Sequence, residues 1–236
     1  MNNSGFSDGF DTLVGVYTRQ MSFGVEATRT DVAFDEYEKS FFLTKAQEEL
    51  VLSLYNGRNS SGRSFEETEE LRRYLSPLVK DATLEPEEGV FTGIHSNSKF
   101  FNLPEDLWFI TYEAVNISDG KCEGNNSLEV VPATQDEYNR LRKNPFRGPN
   151  DRRALRLDLS DNTVEVVSKY TISSYYLRYI KKLSPIILVD LSDGLEIAGE
   201  TEETECILPE SLHQRILEDA VIRALQSKGY SVNNNK

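Results

Sequence analysis

Histidine occurs only twice in the 236 residues, at positions 95 and 213. That leaves almost no material for imidazole acid–base catalysis, a Ser-His-Asp triad or a histidine-rich metal site. His95 stands in a polar loop and His213 follows Leu212 in a helical pattern, so both read as structural. His-Glu-x-x-His and Gly-x-Gly-x-x-Gly do not occur. The two cysteines, Cys122 and Cys206, are too few for a disulfide framework and spaced wrongly for a zinc clip, and are expected to be reduced thiols. With 14 Gly and 8 Pro the chain is neither collagenous nor low in complexity. Its longest apolar run, Pro185 to Val189, is far short of a membrane span, so no membrane association is expected. Met1 to Phe6 carry no basic or apolar signal, which predicts an intracellular product whose Asn-x-Ser triplets are surface turns. Basic residues are outnumbered 26 to 39, and a net charge of −13 repels phosphate backbones and anionic lipid.

The charge is unevenly placed. Residues 134–182 hold eleven Lys and Arg against six Asp and Glu, a net +5, and the remainder holds 15 against 33, a net −18. One end of such a molecule is suited to attract the other end of a neighbour.

The order of hydrophobic periods predicts an α+β fold: N-terminal helices, a central antiparallel β region, and a C-terminal helix packing back on the helical part. The expected regions are 1–81 (helical), 82–206 (β-rich, with a basic loop) and 207–236 (helix and flexible tail). Phe10, Leu13, Val14 and Tyr17 recur at helical spacing between Asp8 and Met21. From Asp35 to Tyr55, Phe42, Ala46, Leu50 and Leu54 form a stripe widened by Leu43, Val51 and Tyr55, with a possible break at Thr44. Ser64 with Glu67 has capping-box spacing and predicts a helix through Leu78. Strands are predicted at 107–115, 128–131, 154–159, 163–167 and 174–180, with a capped helix at 134–141. Pro209 opens a last helix on Leu212, Ile216, Ala220 and Ala224, which Gly229 ends.

Few segments offer chemistry. Gly57 to Ser64 has phosphate-loop spacing with Arg63 where Lys belongs, but it follows a helix rather than a strand and reads as a helix connection. The acidic clusters at 66–70, 85–88 and 200–203 lack EF-hand spacing and read as helix-terminal charge or solvated turns. No cofactor and no metal are expected. The most unusual stretch runs from Arg140 to Arg153, where Arg140, Arg142, Lys143, Arg147, Arg152 and Arg153 surround Phe146 and two prolines. Two readings stand open, a solvated turn or a protein contact to an acidic neighbour; arginine and aromatic residues favour interfaces, and the field of the whole molecule opposes nucleic acid.

Asp35–Tyr55, Phe65–Leu78, Pro132–Tyr138 through Lys143–Arg147, Tyr179–Lys182 with Ser184–Leu188, and Cys206–Leu217 together resemble ring proteins from the head-to-tail connector of crAss-like bacteriophages. The resemblance implies a non-enzymatic virion component: a tail adaptor whose copies, twelve by analogy, close into a ring. That ring would stack beneath the portal, against neighbouring ring or tail proteins, around the channel through which DNA passes as cargo during genome ejection. The implied location is the virion, with assembly in the host cytoplasm. Opposite charges on one chain suit the head-to-tail contacts of a closed ring. The alternatives are a cytoplasmic phage enzyme, for which no acid, base and nucleophile set is evident, and an assembly factor absent from the finished particle.

Overall fold

The computed structural model describes residues 1–21, 32–59, 62–87, 93, 98–118, 127–160, 162–192 and 194–230. His95, Cys122 and the expected loose tail at 231–236 lie outside the described residues. The chain divides into two compact units, Met1–Pro77 with Leu183–Lys236, and Leu78–Lys182.

The first unit is built on three long helices: α1 (Asn3–Met21), α2 (Glu36–Tyr55) and, from the chain's other end, α5 (Glu210–Ser227). The C-terminal helix packs on α1 and α2, as the sequence implies. Helix α1 begins at Asn3, ahead of the Asp8 start read from the spacing, and Phe6 and Phe10 are completely buried. Asp35 caps α2 by accepting from Glu38 N at 2.7 Å while the Glu38 side chain reaches back to Asp35 N. Thr44 does not break this helix. The short α3 (Glu69–Leu75) starts later than Ser64 predicts, because Thr68 accepts from Leu71 N and is its cap. Glu67 still bonds Ser64 N, at 2.9 Å, but closes a turn before the helix. At the end of α5, Gly229 takes φ +87° and the Tyr230 N–H returns to Leu225 O at 3.0 Å, a glycine-terminated helix end.

Residues 183–206, grouped on sequence with the β region, fall in the helical unit. The reason is a polar stripe on α2. Ser40, Thr44 and Gln47 recur along one face and are buried among Leu43, Ala46, Leu50 and Leu54. Ser40 Oγ accepts from Leu188 N at 3.0 Å, Thr44 Oγ1 accepts from Ile186 N at 3.0 Å, and Gln47 Nε2 donates to Ser184 O at 2.9 Å. An extended strap that runs along a helix has no neighbouring strand to satisfy its amides, and these side chains take that role. Ile187 meanwhile bonds Thr204 on the returning segment.

The second unit is one seven-stranded sheet: β1 (Val79–Leu84), β2 (Ser98–Asn102), β3 (Leu107–Ile117), β4 (Ser127–Ala133), β5 (Arg153–Ser160), β6 (Thr163–Val167) and β7 (Ile172–Lys181), ordered β1-β7-β3-β4-β5-β6-β2. The β region is not wholly antiparallel. β4 and β5 pair in parallel, because α4 (Gln135–Leu141) and the basic loop carry the chain back over the sheet between them. Three register irregularities between β3 and β7 help the sheet curl. The curl brings the Phe101 ring on edge strand β2 to 5.1 Å from Tyr175 on β7, and Glu87, just beyond β1, donates its N–H to Phe100 O at 2.9 Å. The two edges thus approach, and side chains from all seven strands share one interior, including Leu84, Phe101, Val115, Val130, Ala154, Val166 and Leu177. Outside the sheet, Tyr138 and Leu141 of α4 cover Leu155, Leu157 and Val167.

Candidate assembly interface

Thr134 caps α4, accepting from Glu137 N at 3.3 Å, and buried Tyr138 pins the helix to the sheet. Burial raises the Tyr138 hydroxyl pKa, against the opposing influence of Arg142. The basic loop therefore leaves a fixed platform. Asn144 N bonds Leu141 O at 2.9 Å, and Asn144 Oδ1 accepts from the amides of Phe146 (2.9 Å) and Arg147 (3.2 Å). Gly148 N closes the turn on Asn144 O at 2.7 Å. A Cβ on Gly148 would stand 2.6 Å from Leu141 O and 2.8 Å from Asn144 O, so the turn has no room for a side chain. Farther along, Asn150 Oδ1 accepts from Arg152 N, and Asp151 holds Lys169 at 2.6 Å and the Tyr170 hydroxyl at 2.7 Å. Those two contacts hold the Asp151 carboxyl below its ordinary pKa, the Lys169 bond foremost.

This scaffold presents Phe146 at 85% exposure, the most exposed of the large apolar side chains among the described residues. Arg142, Lys143, Arg147 and Arg152 stand exposed around it, and Arg153 is half-buried as it enters β5. Arg140 is occupied by Glu137 at 2.8 Å; the other five make no ion pair among the described residues. The structure therefore gathers the loop residues that the sequence singles out, with Arg140 partly committed. It is a preorganised, cationic, aromatic surface.

Sequence reasoning missed two features. Inside the sheet, Arg156 Nη1 of β5 lies 2.5 Å from Glu113 Oε1 of β3, and the Tyr175 hydroxyl of β7 donates to Glu113 Oε2 at 2.5 Å. Arg156 Nε is 2.9 Å from Asp158 Oδ1, an ion pair too bent to be a hydrogen bond. Burial raises the Glu113 pKa, only partly offset by Arg156, and burial followed by Glu113 pushes the Tyr175 hydroxyl far up. Burial is the largest influence and works against the Arg156 charge, but Glu113, Tyr175 and Asp158 together outweigh it and the guanidinium is held protonated. The triad ties three strands together. Its signals were Glu113 and Arg156 at inward positions of otherwise apolar strands.

The second is a cavity of about 160 Å³ in the helical unit, lined by Tyr37, Phe41, Thr44, Lys45, Glu48, Glu196, Ile197 and Ala198. Its outer wall is the tight turn Ile197–Glu200, with Ala198 at φ +54° and Gly199 at +84°.

The residues considered for chemistry are otherwise placed. His213 is buried, its Nε2 at 2.8 Å from Leu208 O and its ring 5.1 Å from that of Phe6. Cys206 Sγ donates to Gln47 Oε1, and burial pushes its thiol up to about 11. In the 57–64 connection, residues 60 and 61 lie outside the described residues, and the segment follows α2 rather than a strand. Among the described residues no cluster of three His, Cys, Asp or Glu is placed to hold a metal, and no helix is long and apolar enough to cross a membrane.

The exposed basic loop is thus scaffolded at one side of the curled sheet, and comparison with known proteins bears on what kind of protein carries it. The model of the family described as phage tail ring protein 3/4 matches residues 1–236. The chain is 46% identical over 231 residues to "Ring protein 3" of Bacteroides phage crAss001, covering 97% of this chain and 96% of the relative. It is also 31% identical over 232 residues to "Ring protein 4/5" of that phage, covering 94% and 91%. The chain belongs to the phage tail ring protein 3/4 family, and is a ring protein of the crAss-like phage type.

Proposed function

We propose that this chain is a virion subunit whose copies close into a ring of the portal-to-tail connector, around the path by which DNA leaves the capsid, and that it catalyses no reaction. The carrying observation is Phe146, held at 85% exposure by a hydrogen-bonded turn amid five unpaired cations. An aromatic side chain ordered in water is a preorganised contact, with little entropy left to lose on binding. A twelvefold ring, contact with the portal and with adjacent ring or tail proteins, and assembly in the host cytoplasm complete the reading. A net charge of −13 suits a subunit beside passing DNA that must not adhere to it. Two relatives in one phage, named for different rings, support a fold that serves at more than one level of a stack.

Quantitative mass spectrometry of purified particles tests the reading. Presence at ring stoichiometry, about as abundant as the other neck proteins, is expected. Absence from washed particles would leave an assembly factor or an enzyme instead.

A further inference from the structure

We propose that Phe146 of one copy docks in the cavity between α2 and the Ile197–Glu200 turn of the next copy. This rests on the ring reading and names the contact that would build the ring.

The two surfaces match in charge. The segment 140–153 carries six basic residues and one acidic residue, Asp151, which Lys169 and Tyr170 already engage. The segment 189–206 carries seven acidic residues and no basic one. Of these, Glu196, Glu200, Glu202 and Glu205 are exposed and make no ion pair among the described residues. The lone cation lining the cavity, Lys45, is taken by Glu48 at 2.8 Å, so it adds no repulsion toward an incoming arginine.

They also match in shape and polarity. Tyr37, Phe41 and Ile197 give the cavity apolar walls, with Phe41 exposed to solvent and its ring 5.5 Å edge-on from Phe42. Val189 and Leu195, also exposed, flank the same turn in sequence. A dry cavity of about 150 Å³ accommodates a benzene ring, and this one has about 160 Å³. Ala198, at φ +54°, lines the cavity, and its methyl is the smallest side chain that could stand there. Knob and socket belong to different units of the chain, so their contact joins unlike surfaces of two copies, which is the heterologous relation a closed ring requires. An aromatic knob in an apolar socket with arginine opposite carboxylates at the rim is the arrangement of an interface hot spot.

The test uses the full chain in a Cys122→Ser, Cys206→Ser background. One preparation carries Pro145→Cys, which keeps the Phe146 ring, a second carries Ala198→Cys, and the two are mixed and treated with a short bismaleimide. A covalent dimer on a denaturing gel is expected from this mixture, and none when the exposed Tyr112→Cys replaces Pro145→Cys. In parallel, Phe146→Ala is expected to weaken self-association at least tenfold with an unchanged circular dichroism spectrum. Arg147→Glu is expected to weaken it likewise and Glu196→Arg in the same chain to restore it. No 145–198 dimer, equal yield from position 112, or undiminished association of Phe146→Ala would overturn the docking. If the chain is present in particles at ring stoichiometry while the 145–198 pair fails to link, the docking alone falls. If the chain is missing from particles, the ring reading falls with it.

Discussion

Arg156 and Glu113 meet at 2.5 Å inside the curled sheet, one from β5 and one from β3, with the Tyr175 hydroxyl closing on the other carboxylate oxygen. Neither strand is the other's neighbour in the sheet, so the pair fixes how far the sheet bends. Removing one member strands a buried charge. Arg156→Met is expected to destabilise the chain by about 3–5 kcal/mol, and Tyr175→Phe by about 1–3 kcal/mol. Urea unfolding followed by tryptophan fluorescence checks both; a loss under 1 kcal/mol for Arg156→Met would mean that the pair is not a closure element.

The strap on α2 gives a second set of outcomes. Thr44→Val keeps the shape but leaves the Ile186 N–H without its acceptor, and Ser40→Ala does the same to Leu188. Each is expected to cost about 1–3 kcal/mol. Together they should cost less than the sum, because both release one strap. Strict additivity in urea titrations would contradict a shared element.

Alkaline pH should act on that strap's unit through Cys206 and on the sheet through Tyr179. Burial holds the Cys206 thiol at about 11, above an unfolded value of roughly 8.5, and raises the Tyr179 hydroxyl to about 12, with Asp106 adding to the effect. A folded pKa above the unfolded one means a contribution fully present below the unfolded value and lost as pH climbs toward the folded one. Stability is therefore expected to fall from about pH 8.5 to 11, and Cys206→Ser to flatten the first part of that decline. At pH 8, Cys206 should also alkylate far more slowly than a free thiol. A rate equal to that of a model thiol would contradict its burial.

The basic loop separates folding from assembly. Phe146→Ala removes a side chain that touches little of its own chain, so stability should change by less than about 0.5 kcal/mol. Gly148→Ala should cost about 1–3 kcal/mol by forcing the turn open. Asn144→Ala lies between, sparing the barrel but freeing two loop amides. A chain stabilised or unaffected by Gly148→Ala, measured by thermal unfolding, would show that the turn adapts.

The elements that the sequence displayed are those whose pattern comes from one face. α1, α4, α5 and five strands follow from periodicity and caps, because each buries a stripe or alternates across the sheet. β1 and β2 escaped notice: Val79–Leu84 is an edge strand, half of it polar, and Ser98–Asn102 is five residues long. The parallel pairing of β4 and β5 needed the crossover to be seen as one unit. In α2, Thr44 read as a break in an amphipathic pattern, since the partner of Ser40, Thr44 and Gln47 is a backbone more than 130 residues away. The loop residues were legible through composition alone. What composition could not carry was that Asn144 and Gly148 fix the loop's turn, or that the helical unit holds a cavity of about 160 Å³ beside α2.

Cryo-electron microscopy of the neck of intact particles tests the central claim most directly. The account predicts copies of this chain closed in a ring around the DNA path, with the 140–153 loop of each buried against a neighbour. A neck reconstruction in which every ring is accounted for by other proteins would contradict it.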